Sequence, residues 1–133
     1  MNPRHIKDRI YEENDDNSTK HQSNKQMIIR GTTPTIVFNV KTGLDLDNIA
    51  EVWITFRSKT GVQAHDKTYT KKDVVINNKT HEILLSLSQE DTLNFSGNQM
   101  QVQLRIRMFD GAAYASGIME TIIGDVLKEG IIW

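Results

Sequence analysis

The chain has 133 residues, 38% apolar and 25% charged, with 16 basic against 17 acidic side chains and no cysteine. This is one domain's worth of ordinary globular composition with a short extension to spare. It excludes a disulfide scaffold, thiolate metal sites and a cysteine nucleophile, and a net charge of −1 leaves no basic field for nucleic acid or an anionic membrane.

Residues 1–26 hold five basic and five acidic side chains, two histidines and much Asn, Ser and Gln. Only Ile6, Ile10 and Tyr11 offer anchors there, with Ile6 and Ile10 spaced i, i+4 on a single apolar edge. Such a segment does not repay its own ordering entropy in isolation. It reads either as a loose tail or as an arm that orders on a partner. The first residues, MNPRHIKDRIYEENDD, have positive charge but no apolar stretch, so they are not a signal peptide. No run approaches the roughly 18 apolar residues of a membrane span. The expectation is a protein that stays in the cell that makes it, or leaves by lysis or within a larger particle.

From Met27 the pattern changes to period two. Ile36, Phe38 and Val40 alternate with Thr35, Val37 and Asn39, which predicts a strand. GLDLDNIA follows as a loop or single turn. EVWITFRS is a second strand, with Val52, Ile54 and Phe56 on one face and Trp53, Thr55 and Arg57 on the other. Lys59–Gly61 signals a turn before VQAHDKTYT, a more polar strand, and DVVI is a short one. NNKT supplies turn chemistry, and HEILLSLS places Ile83, Leu85 and Leu87 in phase. Ser88 with Asp91 three residues on resembles a capping box, predicting one helical turn over 88–94 that crosses between sheets. QMQVQLRIRMF is the clearest strand, with Met100, Val102, Leu104, Ile106 and Met108 on one side and Gln101, Gln103, Arg105 and Arg107 on the other. Asp110–Gly111 is a hairpin signal, AAYASGIMETIIGDVL returns as the last strand, and KEGIIW closes the chain. About seven short strands and no sustained helix predict an all-β, antiparallel, immunoglobulin-like sandwich over 27–133, preceded by a polar arm over 1–26.

The chemical motifs are weak. RGTTPT, residues 30–35, has one glycine ahead of Pro34 and leads into a strand, so it lacks the context of a phosphate-cradling loop. His5, His21, His65 and His81 show no ligand spacing. Asp45 and Asp47 begin like a calcium loop, but the sixth and twelfth positions do not fit, and a capping role is expected. Ser116 in YASG lacks the glycines of a nucleophile elbow, and no acidic pair nominates a glycosidase. The reading is therefore non-enzymatic, with no cofactor and no metal. Arg105 and Arg107, with Gln101 and Gln103, form a polar, cationic stripe that is either a solvated sheet face or a dock for a carboxylate-rich partner or for single-stranded nucleic acid, with Phe109 as a stacking group. Trp53, nominally outward, suits an interface, sugar stacking or packing under a loop. The apolar end Ile131, Ile132 and Trp133 suits burial in a partner or against the body.

MIIRGTTPT, LSLSQEDTLNF and MQVQLRIRMFDGAAYASGIMETIIGDVLKEGII, in this order, resemble a family of small proteins encoded by phages and prophages, chiefly of Gram-positive gut bacteria. The resemblance covers roughly residues 27 to 132, and RGTTPT and S-x-E-D-T are its most specific parts. More distantly the chain is similar to the β-sandwich modules of phage baseplate adaptors and capsid decorations. The resemblance implies a virion structural protein, oligomeric in the particle, whose partners are other virion proteins; it supplies no catalytic residues. The 26-residue arm departs from the family pattern, which starts almost directly at RGTTPT. Ile6, Ile10, Tyr11, Trp53, Arg105, Arg107 and Trp133 are the expected partner-binding residues. The competing expectation is a module for host-surface glycan, with Trp53 or Tyr114 as the stacking group.

Overall fold

The computed structural model describes residues 26–59 and 67–133. Nine strands and one short helix follow in order: β1 (Gln26–Ile29), β2 (Thr35–Asn39), β3 (Ile49–Ser58), β4 (Lys67–Thr70), β5 (Val74–Asn77), β6 (Glu82–Ser86), α1 (Gln89–Leu93), β7 (Gln99–Met108), β8 (Ala113–Ala115) and β9 (Met119–Gly124). Two 3-10 turns, Leu46–Asn48 and Lys71–Asp73, precede β3 and β5.

The strands form two sheets. The larger runs β1-β9-β7-β3-β4, with β8 also on β7, and the smaller runs β2-β6-β5. Their inner faces close on one core. Ile36, Phe38, Ile83 and Leu85 come from the smaller sheet, and Val52, Ile54, Phe56, Met100, Val102, Leu104 and Ile106 from the larger. This partition in chain order is the Greek key of an immunoglobulin-like sandwich with an added strand beside β3. No cysteine pair ties the sheets together, and buried Phe38, Ile54 and Leu104 supply the apolar core instead.

The period-two reading holds in the two long strands. β7 alternates strictly, with its even-numbered residues buried. β3 does the same from Val52 to Phe56, after a bulge between Ile49 and Glu51. The Asp110–Gly111 hairpin forms as expected: Met108 N–H donates to Ala112 O at 2.8 Å, Asp110 Oδ1 caps Ala112 N–H, and Gly111 takes φ 96°. The capping box at Ser88 also forms. Its hydroxyl accepts from Asp91 N–H at 3.0 Å, and the Asp91 carboxylate accepts from Ser88 N–H at 2.8 Å. The resulting helix α1 carries the chain from β6 in one sheet to β7 in the other.

Three expectations are corrected. The sandwich is not wholly antiparallel, because β1 pairs with β9 in parallel. A parallel neighbour needs a long crossover, and here the whole domain lies between the two strands. β1 itself, QMII, falls inside the stretch read as an entry segment, since four residues are too few to show a period. The expected single last strand is two, β8 and β9, each on a different part of β7. Ser116 makes the break: its N–H donates to Leu104 O at 2.8 Å while its hydroxyl accepts from Leu104 N–H at 3.0 Å. The arm over 1–25 and the first part of the expected VQAHDKTYT strand lie outside the described residues.

Candidate functional site

The outer face of the larger sheet gathers the expected docking residues. Cross-strand register sets Trp53 of β3 opposite Arg105 of β7 and Thr70 of β4. Glu51 stands opposite Arg107, and Thr55 stands opposite Gln103. Directly opposed side chains on one face lie about 5 Å apart at Cβ, so Trp53 and Arg105 leave the sheet side by side. On the far side of β7, Arg105 and Arg107 face Ala115 and Ala113 of β8. These small side chains leave the guanidinium groups clear, and both arginines are exposed while Trp53 is half-buried. Thr55 and Thr68 hydroxyls meet at 3.0 Å and extend a polar border beside them. A planar guanidinium recognises carboxylates in a bidentate manner, and a neighbouring tryptophan adds apolar area of the kind that anchors interfaces.

Glu51 stiffens this face from its upper edge. Its Oε1 accepts from Val52 N–H at 3.0 Å and Lys71 N–H at 3.1 Å. These two backbone donors, with smaller help from the Lys71 and Arg107 charges, hold its carboxyl below the ordinary value of 4.5. The stabilisation is complete above that ordinary value and is lost as pH falls through the lower folded-state value. Glu51→Gln is therefore expected to lower the urea midpoint near neutral pH, and the gap to the parent should close in acid. Urea titrations of both proteins between about pH 7 and pH 3 check this, because linkage predicts the convergence; a gap that is constant across pH would contradict it.

Trp133 stands apart from this group. The tail is tied to the start of α1: Gln89 Nε2 donates to Ile132 O, and Ile132 N–H donates to Gln89 Oε1, both at 2.8 Å. That clamp holds the backbone while leaving Trp133 fully exposed, with Ile132 and Leu127 also open to solvent. It lies near the end of the sandwich where β7 begins, whereas Arg107 is near the other end of that strand. Ile6, Ile10 and Tyr11 lie outside the described residues. Tyr114 and Trp53 do not form one stacking platform. Tyr114 pairs with core-facing Ile106, so it points to the opposite face of the sheet from Trp53.

RGTTPT has an architectural role. Thr92, completely buried in α1, accepts at Oγ1 from Gly31 N–H and donates to Thr32 O, both at 2.9 Å. Arg30 reaches further along the same connection, donating to Phe95 O at 3.1 Å and to Gly97 O, and pairing with Asp125. Gly31 has φ 83°, a left-handed conformation that suits glycine. The two most specific segments of the sequence thus bind each other, as a latch between the β1–β2 connection and α1. Single-sequence reasoning could not find this, because the partners are about sixty residues apart and neither declares the other.

The remaining motifs are also structural. Asp45 caps the 3-10 turn by accepting from Asp47 N–H at 3.1 Å, and Asn78 Nδ2 donates to it at 3.0 Å. His81 ends the β5–β6 hairpin at φ 56°, its carbonyl accepting from Val40 N–H. Tyr69 sits under α1, and burial raises its hydroxyl pKa. The Asp91 charge adds to that shift, although the two groups make no hydrogen bond of good geometry. Among the described residues, no group of three or more His, Cys, Asp or Glu could hold a metal ion, and no helix is long and apolar enough to cross a membrane. No protein-family model matches the chain, and no curated protein matches it.

Proposed function

We propose that this protein is a non-enzymatic structural component of a bacteriophage particle, a capsid decoration or a neck, tail or baseplate adaptor. It docks on other virion proteins through a sheet face and its N-terminal arm, in several copies per particle, without nucleic acid, membrane or cofactor. It is made in the cytoplasm of the host bacterium and ends in the virion. The observation that carries this reading is the outer face of the larger sheet, where Trp53 lies beside Arg105 and Arg107 on a rigid ladder. Aromatic and arginine anchors on a regular scaffold suit a protein partner with exposed carboxylates. The clamped tail, with Trp133 exposed, supports the reading as a second contact.

The test is incorporation. Phage particles purified from a lysate are expected to contain the chain in stoichiometric amounts, visible by electron microscopy after labelling. The triple variant Trp53→Ala, Arg105→Ala, Arg107→Ala is expected to fold, because these side chains lie outside the core. It should lose incorporation by about tenfold or more, as the loss of interface anchors predicts. A chain that stays soluble in the lysate and absent from particles would sink the proposal. Host-surface glycan binding that disappears in Trp53→Ala, without incorporation, would make it a glycan-binding module.

A further inference from the structure

The docking face of the larger sheet ends at a free strand edge. On the side of β7 away from β3, β9 pairs with Gln99–Val102 and β8 with Arg105–Arg107. β1 covers β9 from Thr121 to Gly124. Among the described residues no strand lies beyond β8, and Ala113, Tyr114 and Ala115 are all exposed. Ala112 O accepts from Met108 N–H and Ser116 N–H donates to Leu104 O, both at 2.8 Å, so the even-numbered residues bond toward β7. By alternation Ala113 and Ala115 direct their N–H and C=O groups away from the sheet.

Sheet edges invite pairing unless charge, proline or a cover guards them. The β4 edge of the same sheet begins with Lys67 and is followed by Lys71, Lys72 and Asp73. β8 lies within GAAYASGIM, residues 111–119, which holds neither charge nor proline. The charge stands one strand further in. Ala115 and Ala113 lie directly opposite Arg105 and Arg107, and neither arginine makes an ion pair among the described residues. On the β3 side Arg105 faces Trp53, and Arg107 faces Glu51, whose Oε1 already accepts two backbone N–H groups. Only two methyl side chains thus separate two exposed arginines from the open edge. A strand laid on that edge sits two strand spacings, about 10 Å, from β7. An arginine and a glutamate bridge that gap when they extend toward each other over an alanine.

We propose that a partner protein adds an extended segment to the edge of β8, bearing two carboxylates at i and i+2 that meet Arg105 and Arg107. Main-chain hydrogen bonds to Ala113 and Ala115 attach the segment, and its alternate acidic side chains make it specific. The residue between them turns to the other face, beside Tyr114, which is 44% exposed, and is apolar. The inference rests on the docking face proposed above and names what the partner brings to it, an acidic–apolar–acidic strand. A carboxylate-rich surface without such a strand has no use for the edge of β8.

The probe is the synthetic peptide Gly-Thr-Glu-Val-Glu-Thr-Gly, titrated into the isotope-labelled full-length chain and followed by NMR. Saturable binding is expected, with the Ala113 and Ala115 amide signals moving downfield and exchanging more slowly as they gain acceptors. The Tyr114 amide, which faces β7, should change least. The isomer Gly-Thr-Glu-Glu-Val-Thr-Gly puts its carboxylates on opposite faces. It is expected to bind about tenfold more weakly, since one charge-assisted hydrogen bond is worth about that factor. The Arg105→Gln, Arg107→Gln variant, altered only outside the core, should lose at least as much affinity for the first peptide. Equal affinity for the two isomers, binding untouched by the double variant, shifts away from β8, or no saturation at millimolar peptide would each overturn the proposal. Incorporation into particles without peptide binding would refute this inference and spare the phage reading. Peptide binding of the expected pattern by a chain absent from particles would do the reverse.

Discussion

Replacing Phe56 by alanine is expected to cost about 3–5 kcal/mol, the range for removing a large aromatic from a packed core. Phe56 is fully buried on β3, its ring stacked on Phe95 at 5.2 Å and edge-on to Tyr69 at 5.7 Å. Such ring pairs contribute about 0.5–1.5 kcal/mol beyond area burial, and both are lost together. Domains of this size have total stabilities of about 5–15 kcal/mol. The alanine variant should therefore unfold at a much lower urea concentration, with a large part of the population unfolded at 37 °C. Phe56→Leu, which keeps more of the volume, is expected to fold and to lose distinctly less. Equal midpoints for Phe56→Ala and the parent would mean that this end of the core is not closed as described.

The second large effect is expected at Thr92, which no core-pattern argument would single out. Thr92→Val keeps the shape and removes the hydroxyl, leaving Gly31 N–H without its acceptor and Thr32 C=O without its donor. An unpaired group in a buried setting costs about 1–3 kcal/mol; Gly31 is half-buried while Thr32 is exposed and its carbonyl can turn to water, so a loss of about 1–3 kcal/mol follows. For a domain of about a hundred residues this lowers Tm by roughly 5–20 °C. Thr92→Ser restores the hydroxyl and gives up one methyl, about 1 kcal/mol. Calorimetry on the pair separates hydrogen bonding from packing: serine should recover most of what valine loses. If valine melts with the parent, the latch holds nothing.

Several elements are legible in the sequence alone, and for local reasons. β7 shows in its sequence because ten residues alternate without a break, and a two-sheet core needs that pattern. Asp110–Gly111 and Ser88–Asp91 were readable because turn and cap chemistry spans only two to four residues. The outer-face position of Trp53 follows from its phase against Val52 and Ile54. Its position opposite Arg105 was not readable, since register depends on the whole path of the sheet.

What escaped the sequence was long-range pairing. β1 is four residues long and becomes a strand through β9, which comes about ninety residues later. Gly31 and Thr92 are ordinary letters until folding brings them to 2.9 Å. The period already sets Val37 on the face opposite Ile36, but its near-complete burial there is not legible in the sequence. Local order thus follows from the period and chemistry of neighbouring residues, which the chain carries wherever it goes. Partners across the sandwich follow from topology, because the contacts that choose them exist only after the sheets have closed.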